Sequence, residues 1–358
     1  MNEADKSVPV FDGHNDVLLR IMREKAENPV SSFFKDWPGG HLDFPRIKQS
    51  GFIGGFFALF IPEQTDDHDV YKSWVEQPEY RLPLPDELPL NYARKVALHQ
   101  TALLLRMDRD YPDQFALCRN LRDLSAAREQ GKIAAIFHME GADAIDPDFY
   151  FLDVLHAAGL RSLGLVWSRK TPFGEGVPFA FPSSPDTGPG LTDLGKSLVQ
   201  RCNALNIMID LSHLNEKGFW DVAEISDAPL VATHSNAHSI CPSSRNLTDS
   251  QLDAIRQSKG MVGINYATSF LRPDGKENTD TSLETMIRHF DYMIDHLGID
   301  HVGLGSDFDG ATIPSAIQDV TGNRKLLQAM ARHGYDDEML NKIAWKNWIS
   351  FLERFWKN

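Results

Sequence analysis

Eight short apolar runs, each followed by a polar or amphipathic stretch, recur along the chain, and this alternation constrains the fold more than any other feature. The runs are VPVFDGHND (8–16), GFIGGFFALFI (51–61), IAAIFHMEG (133–141), RSLGLVW (161–167), IMIDLSH (207–213), PLVATHS (229–235), GMVGINY (260–266) and HVGLGSDF (301–308). Most are almost continuously apolar, which predicts strands covered on both faces, as in a parallel sheet. The segments between them read as helices. LNYARKVALHQTALLLRM (90–107) spaces its apolar residues three and four apart, and 192–206 and 248–260 open with Thr-Asp, an N-cap followed by a first-turn acid. The segment 282–298 ends on glycine, where a C-cap would sit. Eight such units over 358 residues predict an α/β fold: a single (β/α)8 TIM barrel over 1–358 rather than two domains. A doubly wound sheet is the alternative, but no GxGxxG follows the first run. Two stretches, 62–89 and the Pro- and Gly-rich 171–190, are too long for plain connections and read as lid or binding-loop insertions.

In such barrels chemistry sits at the C-terminal ends of the strands. Reading only those ends gives His14 and Asp16 on the first run, Glu140 on the third, His213 on the fifth, His234 on the sixth and Asp307 on the eighth. Within the first run, residues two apart share a face, so Asp12, His14 and Asp16 should point one way and Phe11, Gly13 and Asn15 the other. A strand buries such a polar row only when something compensates the charge. Taken singly, each residue has an ordinary structural explanation as a cap, a turn or a core histidine. Six of them at the same end of five runs are the inventory of a two-metal hydrolytic site, in which a carboxylate bridges two ions. Asp12, one layer deeper, is expected to orient a ligand; His138 shares a strand face with Glu140 and is expected to pack there, with support of a ligand as the alternative. His238, past the sixth run, is expected near the site. No GxSxG elbow is present and no cysteine ends a run, which argues against the serine and cysteine hydrolases.

Charge and cysteine usage narrow the setting. Thirty-six basic against fifty acidic residues leave a net charge of −14, unsuited to nucleic acid or an anionic membrane. No run of apolar residues is long enough to span a bilayer. The opening MNEADKSVPVF has neither the basic nor the apolar region of a signal peptide. Three scattered cysteines, Cys118, Cys202 and Cys241, fit a reducing compartment, so a cytoplasmic location is expected.

DGHND at 12–16, EG at 140–141, DLSH at 210–213, THS at 233–235, RN at 245–246 and SDFDG at 306–310, with LDFPRI at 42–47, resemble in order the membrane (renal) dipeptidase family of binuclear zinc peptidases. The resemblance implies two Zn2+ per chain, His14 and Asp16 holding one, His213 and His234 the other, with Glu140 bridging. It implies a metal-bridging hydroxide attacking the peptide bond of free dipeptides, often with a D-residue at the C-terminal position. Asp307 matches the acid that manages protons or the substrate amino group. Arg245 matches the basic residue that holds the substrate carboxylate, a task suited to a guanidinium fork. A homodimer is implied by the resemblance alone. One departure stands out: where renal dipeptidase has a histidine contacting the substrate carbonyl, this chain has Trp167. That places Trp167 among the substrate-binding residues and leaves carbonyl polarisation to the metal, Arg169 or His238. An amidohydrolase-like enzyme acting on an N-acyl amino acid or a lactone is the alternative. Its wider pattern uses His-x-His on the first strand, and the His-x-Asp here favours the dipeptidase. A barrel that merely binds a peptide would need neither Asp307 nor a full ligand set.

Overall fold

The eight apolar runs become eight parallel strands: β1 Val10–Asn15, β2 Phe52–Phe60, β3 Ile133–Glu140, β4 Leu160–Gly164, β5 Met208–Asp210, β6 Val231–Ala232, β7 Met261–Asn265 and β8 Val302–Gly305. Each pairs in parallel with its neighbours in this order, and β8 closes onto β1 with Leu304 opposite Asp12. The result is a closed (β/α)8 barrel. A further short strand, Phe115–Leu117, pairs with the start of β3 on the edge that β4 takes farther up. The structure, a computed structural model, describes residues 8–64 and 73–356. Met1–Ser7, on which the argument about a leader rests, lie outside the described residues, as do residues 65–72 of the first insertion.

The strand starts agree with the sequence reading within two residues, but the ends fall one to three residues short. At β5, β6 and β8 the chain leaves the ladder just before His213, His234 and Asp307. His213 and Asp307 then adopt left-handed backbone, with φ of 69° and 58°, a conformation non-glycine residues hold only where surroundings impose it. Helices form where capping and periodicity placed them. The helix Leu90–Asp110 buries Ala93, Val96, Ala97, Leu103, Leu104 and Met107, and Thr192 Oγ1 caps Asp193–Ala204 by accepting the Gly195 N–H at 3.0 Å. Thr248 and Gln251 share a capping box on Asp249–Gln257. Gly298 follows Leu283–Leu297 at a φ of 86°.

The barrel interior is packed by Phe11, Phe56, Ala134, Ile136, Met208, Val231 and Met261. Trp348, from the terminal helix Asn347–Phe355, fills the floor, and its indole N–H donates to the Leu304 carbonyl at 2.9 Å. Gly13 and Gly303 make room for it, since a Cβ at either position would run into the Trp348 ring. The larger apolar cluster lies outside the strands, under the helices. At the opposite end the two insertions meet, Tyr80–Arg81 pairing antiparallel with Ala180–Phe181. Among the described residues no helix is long and apolar enough to cross a membrane.

Candidate metal centre

The β1 end departs from the simple alternation. Phe11 and Gly13 face the interior, but the register with β2 shifts between Asp12 and Asn15. His14 therefore turns over the mouth and stacks on His234, ring centroids 3.8 Å apart. Asp12 does not follow it. The Asp12 carboxylate accepts the N–H and O–H of Ser306, each at 2.7 Å, and ties β1 to the loop after β8. It reaches only the backbone N–H of His14, at 3.5 Å.

All six strand-end groups come together, five of them buried and Asp307 half-buried. Glu140 stands between two sets. Its Oε1 lies 3.0 Å from His213 Nε2 and 3.3 Å from His234 Nε2, while its Oε2 faces His14 Nε2 at 3.8 Å. His14 Nε2 is 3.3 Å from Asp16 Oδ2, and the Nε2 atoms of His213 and His234 are 3.2 Å apart. Asp307 closes a third grouping with His14 and His234, its Oδ2 accepting the Asn265 Nδ2–H at 2.9 Å. Gly310 is obligatory beside it, because a Cβ there would press on both the Asp16 and the Asp307 carboxylates.

The electrostatics are those of a site built for cations. Burial pushes the Glu140 and Asp307 carboxyls up, and it holds the His213 and His234 imidazoles well below their ordinary value, aided by the charges of Arg245 and His14. Burial also opposes a charged His14, yet the facing Glu140 and Asp16 carboxylates outweigh it and raise His14 to about 10. The donor set fits two divalent cations, imidazole nitrogens and carboxylate oxygens being ordinary zinc ligands. Neither ring nitrogen of the buried His14 makes a hydrogen bond, and neither does Asp16 Oδ1. Such orphaned buried groups are what a bound cation satisfies.

Arg245 reaches the site from beyond β6. Its Nη1 donates to Ser235 Oγ and its Nη2 to the His234 carbonyl, both at 2.8 Å, while its Nε is buried with no partner. Trp167 lines the same mouth, 5.9 Å from the His213 ring and flanked by Phe60 and Phe179 at 5.1 and 5.5 Å. The other two carbonyl-polarising candidates hold protein partners, though Arg169 Nη2, like Arg245 Nε, is buried without one. Arg169 is fully buried behind Trp167, bonded to Glu63 at 2.8 Å and Asp143 at 2.9 Å. His238 Nε2 meets the Ser183 carbonyl at 3.0 Å.

Several neighbours escaped the sequence reading. His138, expected to pack, sits edge-on to His14 with its Nδ1 on Ser162 Oγ at 2.8 Å and its Nε2 3.5 Å from Asp210. Ser168 Oγ lies 2.9 Å from His213 Nδ1. Asp210 and Thr233 lie directly behind His234. Both belong to the DLSH and THS stretches, and their closeness to strand ends was the signal available.

A closed eight-stranded parallel barrel whose C-terminal mouth gathers buried imidazoles and carboxylates defines a metal-dependent hydrolase of the barrel class. The family model described as membrane dipeptidase (Peptidase family M19) matches residues 1–356, and the chain belongs to that family of metal-dependent dipeptidases. The fold agrees closely with a metallo peptidase from Rhodobacter sphaeroides, solved with a phosphinate mimic of the dipeptide L-Ala-D-Ala: TM-score 0.95 and 52% identity over 98% of this chain and 100% of that one. A second solved metallo peptidase, dipeptidase AC, aligns with the same TM-score of 0.95 and 52% identity, over 99% of this chain and 100% of that one. Among sequences, an uncharacterized protein in the pqqA 5' region of Klebsiella pneumoniae is 47% identical over 258 residues, 72% of this chain and 95% of that protein.

Proposed function

We propose that the protein is a binuclear zinc dipeptidase that cleaves free dipeptides, those with a C-terminal D-residue included. The observation that carries this reading is the split of Glu140, one carboxylate oxygen toward His213 and His234 and the other toward His14 beside Asp16. The likeness to a peptidase solved with an L-Ala-D-Ala mimic supports the substrate class and its stereochemistry. In this reading His14 and Asp16 would hold one zinc, His213 and His234 the other, and Glu140 would serve both. Two zinc ions held there would supply activated water at neutral pH and positive charge opposite the developing oxyanion. The chain's own groups do the rest. Arg245 keeps its charge despite burial, which lowers it only to about 10, and pairs its unused Nε–H with the substrate carboxylate. Asp307, fixed by Asn265, carries the proton that the leaving amine requires. Trp167, with Phe60 and Phe179 against it, walls the pocket and excludes water near His213. The chain acts as one catalytic unit, its second insertion set against the mouth where the Val177 N–H donates to the His213 carbonyl at 2.8 Å. Three buried free cysteines support a reducing, cytoplasmic setting.

The test joins metal analysis to a substrate screen. Purified protein should hold close to two zinc ions per chain and hydrolyse members of an L-Xaa-L-Xaa and L-Xaa-D-Xaa set. Glu140→Gln, the same shape without the charge, should lose metal and turnover together. Wild-type metal content in that variant would refute the bridge, and a zinc-loaded enzyme inert on every dipeptide would refute the activity.

A further inference from the structure

We propose that Asp210 and Thr233 are positioning residues for the metal centre: the Thr233 hydroxyl connects the buried Asp210 carboxylate to His234, fixes that imidazole as the Nδ1–H tautomer and presents a bare Nε2 to the cation. The inference rests on reading His234 as a ligand.

The strand order creates the contact. β5 and β6 are neighbours, with Asp210 opposite Val231, so Asp210 at the end of β5 lies across the seam from Thr233, just past the end of β6. Thr233 Oγ1 is 2.6 Å from Asp210 Oδ2 and 2.8 Å from His234 Nδ1. The direct path from His234 Nδ1 to Asp210 Oδ2 is 3.9 Å, so the hydroxyl is the route. All three side chains are buried, so water does not compete for these atoms.

Proton counting sets the polarity. A hydroxyl has one proton to give and lone pairs to receive with. Asp210 Oδ1 already accepts the backbone N–H groups of Ser212 at 3.0 Å and Thr233 at 2.8 Å. A carboxylate with two such donors is held ionised and acceptor-only. Thr233 must therefore donate to Oδ2, and its lone pair faces Nδ1. Nδ1 is then the protonated nitrogen, leaving Nε2 as a lone pair 3.3 Å from Glu140 Oε1 and 3.2 Å from His213 Nε2. The opposite polarity needs a neutral Asp210 and puts a proton on Nε2, where no cation could bind. His213 lacks this arrangement. Its Nδ1 meets Ser168 Oγ at 2.9 Å, with no carboxylate behind the serine among the described residues. The two imidazoles of one subsite are thus unequal, and His234 is the one whose tautomer is set before a metal arrives.

Histidine-labelled, metal-free protein provides the first readout. Nitrogen-15 NMR, with the His234 signals assigned by their disappearance in His234→Ala, should show protonated Nδ1 and bare Nε2. Zinc affinity by chelator competition provides the second. Thr233→Val keeps the shape and removes the hydroxyl, and it should weaken one of the two zinc sites about 10- to 100-fold, the usual cost of losing an outer partner. Thr233→Ser should restore wild-type affinity, which a purely packing role for the threonine methyl would not allow. Asp210→Asn offers an amide in place of Oδ2, turns the Thr233 proton toward His234 and should shift the imidazole to Nε2–H. A wild-type His234 found as Nε2–H, or a Thr233→Val enzyme with undiminished affinity, overturns the proposal. His234→Ala separates the two layers. If it binds two zinc ions as tightly as wild type, the ligand reading itself fails. If it loses one zinc while Thr233→Val loses nothing, only the role of Asp210 and Thr233 falls.

Discussion

Arg245→Met removes a guanidinium and keeps most of its stem, and the structure says what should follow. The side chain is 4% exposed and donates to Ser235 Oγ and the His234 carbonyl, leaving Nε–H buried without a partner. An unused donor on a buried cation is costly unless an anion arrives, and a free dipeptide brings one at its C-terminus. A hydrogen bond to a charged group is worth about 1.5–3 kcal/mol. Unit charges about 4 Å apart near a protein surface attract by about 4 kcal/mol. Allowing for the water that replaces the guanidinium, a loss of about 3–4 kcal/mol in transition-state binding is expected, or about 10²- to 10³-fold in kcat/KM.

The assay compares a dipeptide with its own C-terminal amide. Wild-type enzyme should strongly prefer the free acid, and in Arg245→Met that preference should collapse, because the amide has no charge to lose. Zinc must be measured in the same samples. The variant also takes a donor from the carbonyl of His234, and an orphaned buried carbonyl costs about 1–3 kcal/mol of stability, which could disturb the ligand. Equal losses on acid and amide with both zinc ions retained would show that Arg245 only braces the β6 end and holds no substrate.

The barrel was readable because its strands are buried on both faces, so each announces itself as an apolar run whatever its partners. The site was readable for a related reason: a charged group at the end of such a run is out of place unless it works. What remained hidden depends on atoms far apart in the chain. The strand ends were overestimated because His213 and Asp307 leave the ladder in left-handed turns that tertiary contacts impose. The two-residue alternation at 12–16 failed because β1 shifts register against β2 there. Arg169 looked free to meet a substrate carbonyl, but its partners Glu63 and Asp143 lie 106 and 26 residues away. Thr233 reads as one more β-branched strand residue until the Asp210 carboxylate is found behind it. Local pattern reports burial, whereas hydrogen-bond partnership across the barrel mouth needs the closed ring.

Two further perturbations separate the site from the scaffold. Gly310→Ala pushes a methyl against the Asp16 and Asp307 carboxylates. Such overpacking costs about 1–3 kcal/mol, and both turnover and zinc at the His14–Asp16 position should fall. Full activity and two retained zinc ions would mean that the loop after β8 is not held against the site. His289 tests the scaffold at a buried group outside the candidate metal centre. Its Nδ1 accepts the Ala237 N–H at 3.2 Å and its Nε2–H donates to the Leu271 carbonyl at 2.9 Å, and burial pushes it from its ordinary 6.5 down to about 4. Between those values the unfolded chain binds a proton that the folded protein refuses, so this stability is present at neutral pH and drains away on acidification. Going from pH 7 to pH 4.5 should cost wild type about 2 kcal/mol more than His289→Gln, which has nothing to titrate. Urea unfolding of the two proteins at both pH values measures the difference. Parallel losses would mean that the imidazole is protonated inside the fold as readily as outside it, which its two hydrogen bonds, one accepted and one donated, forbid.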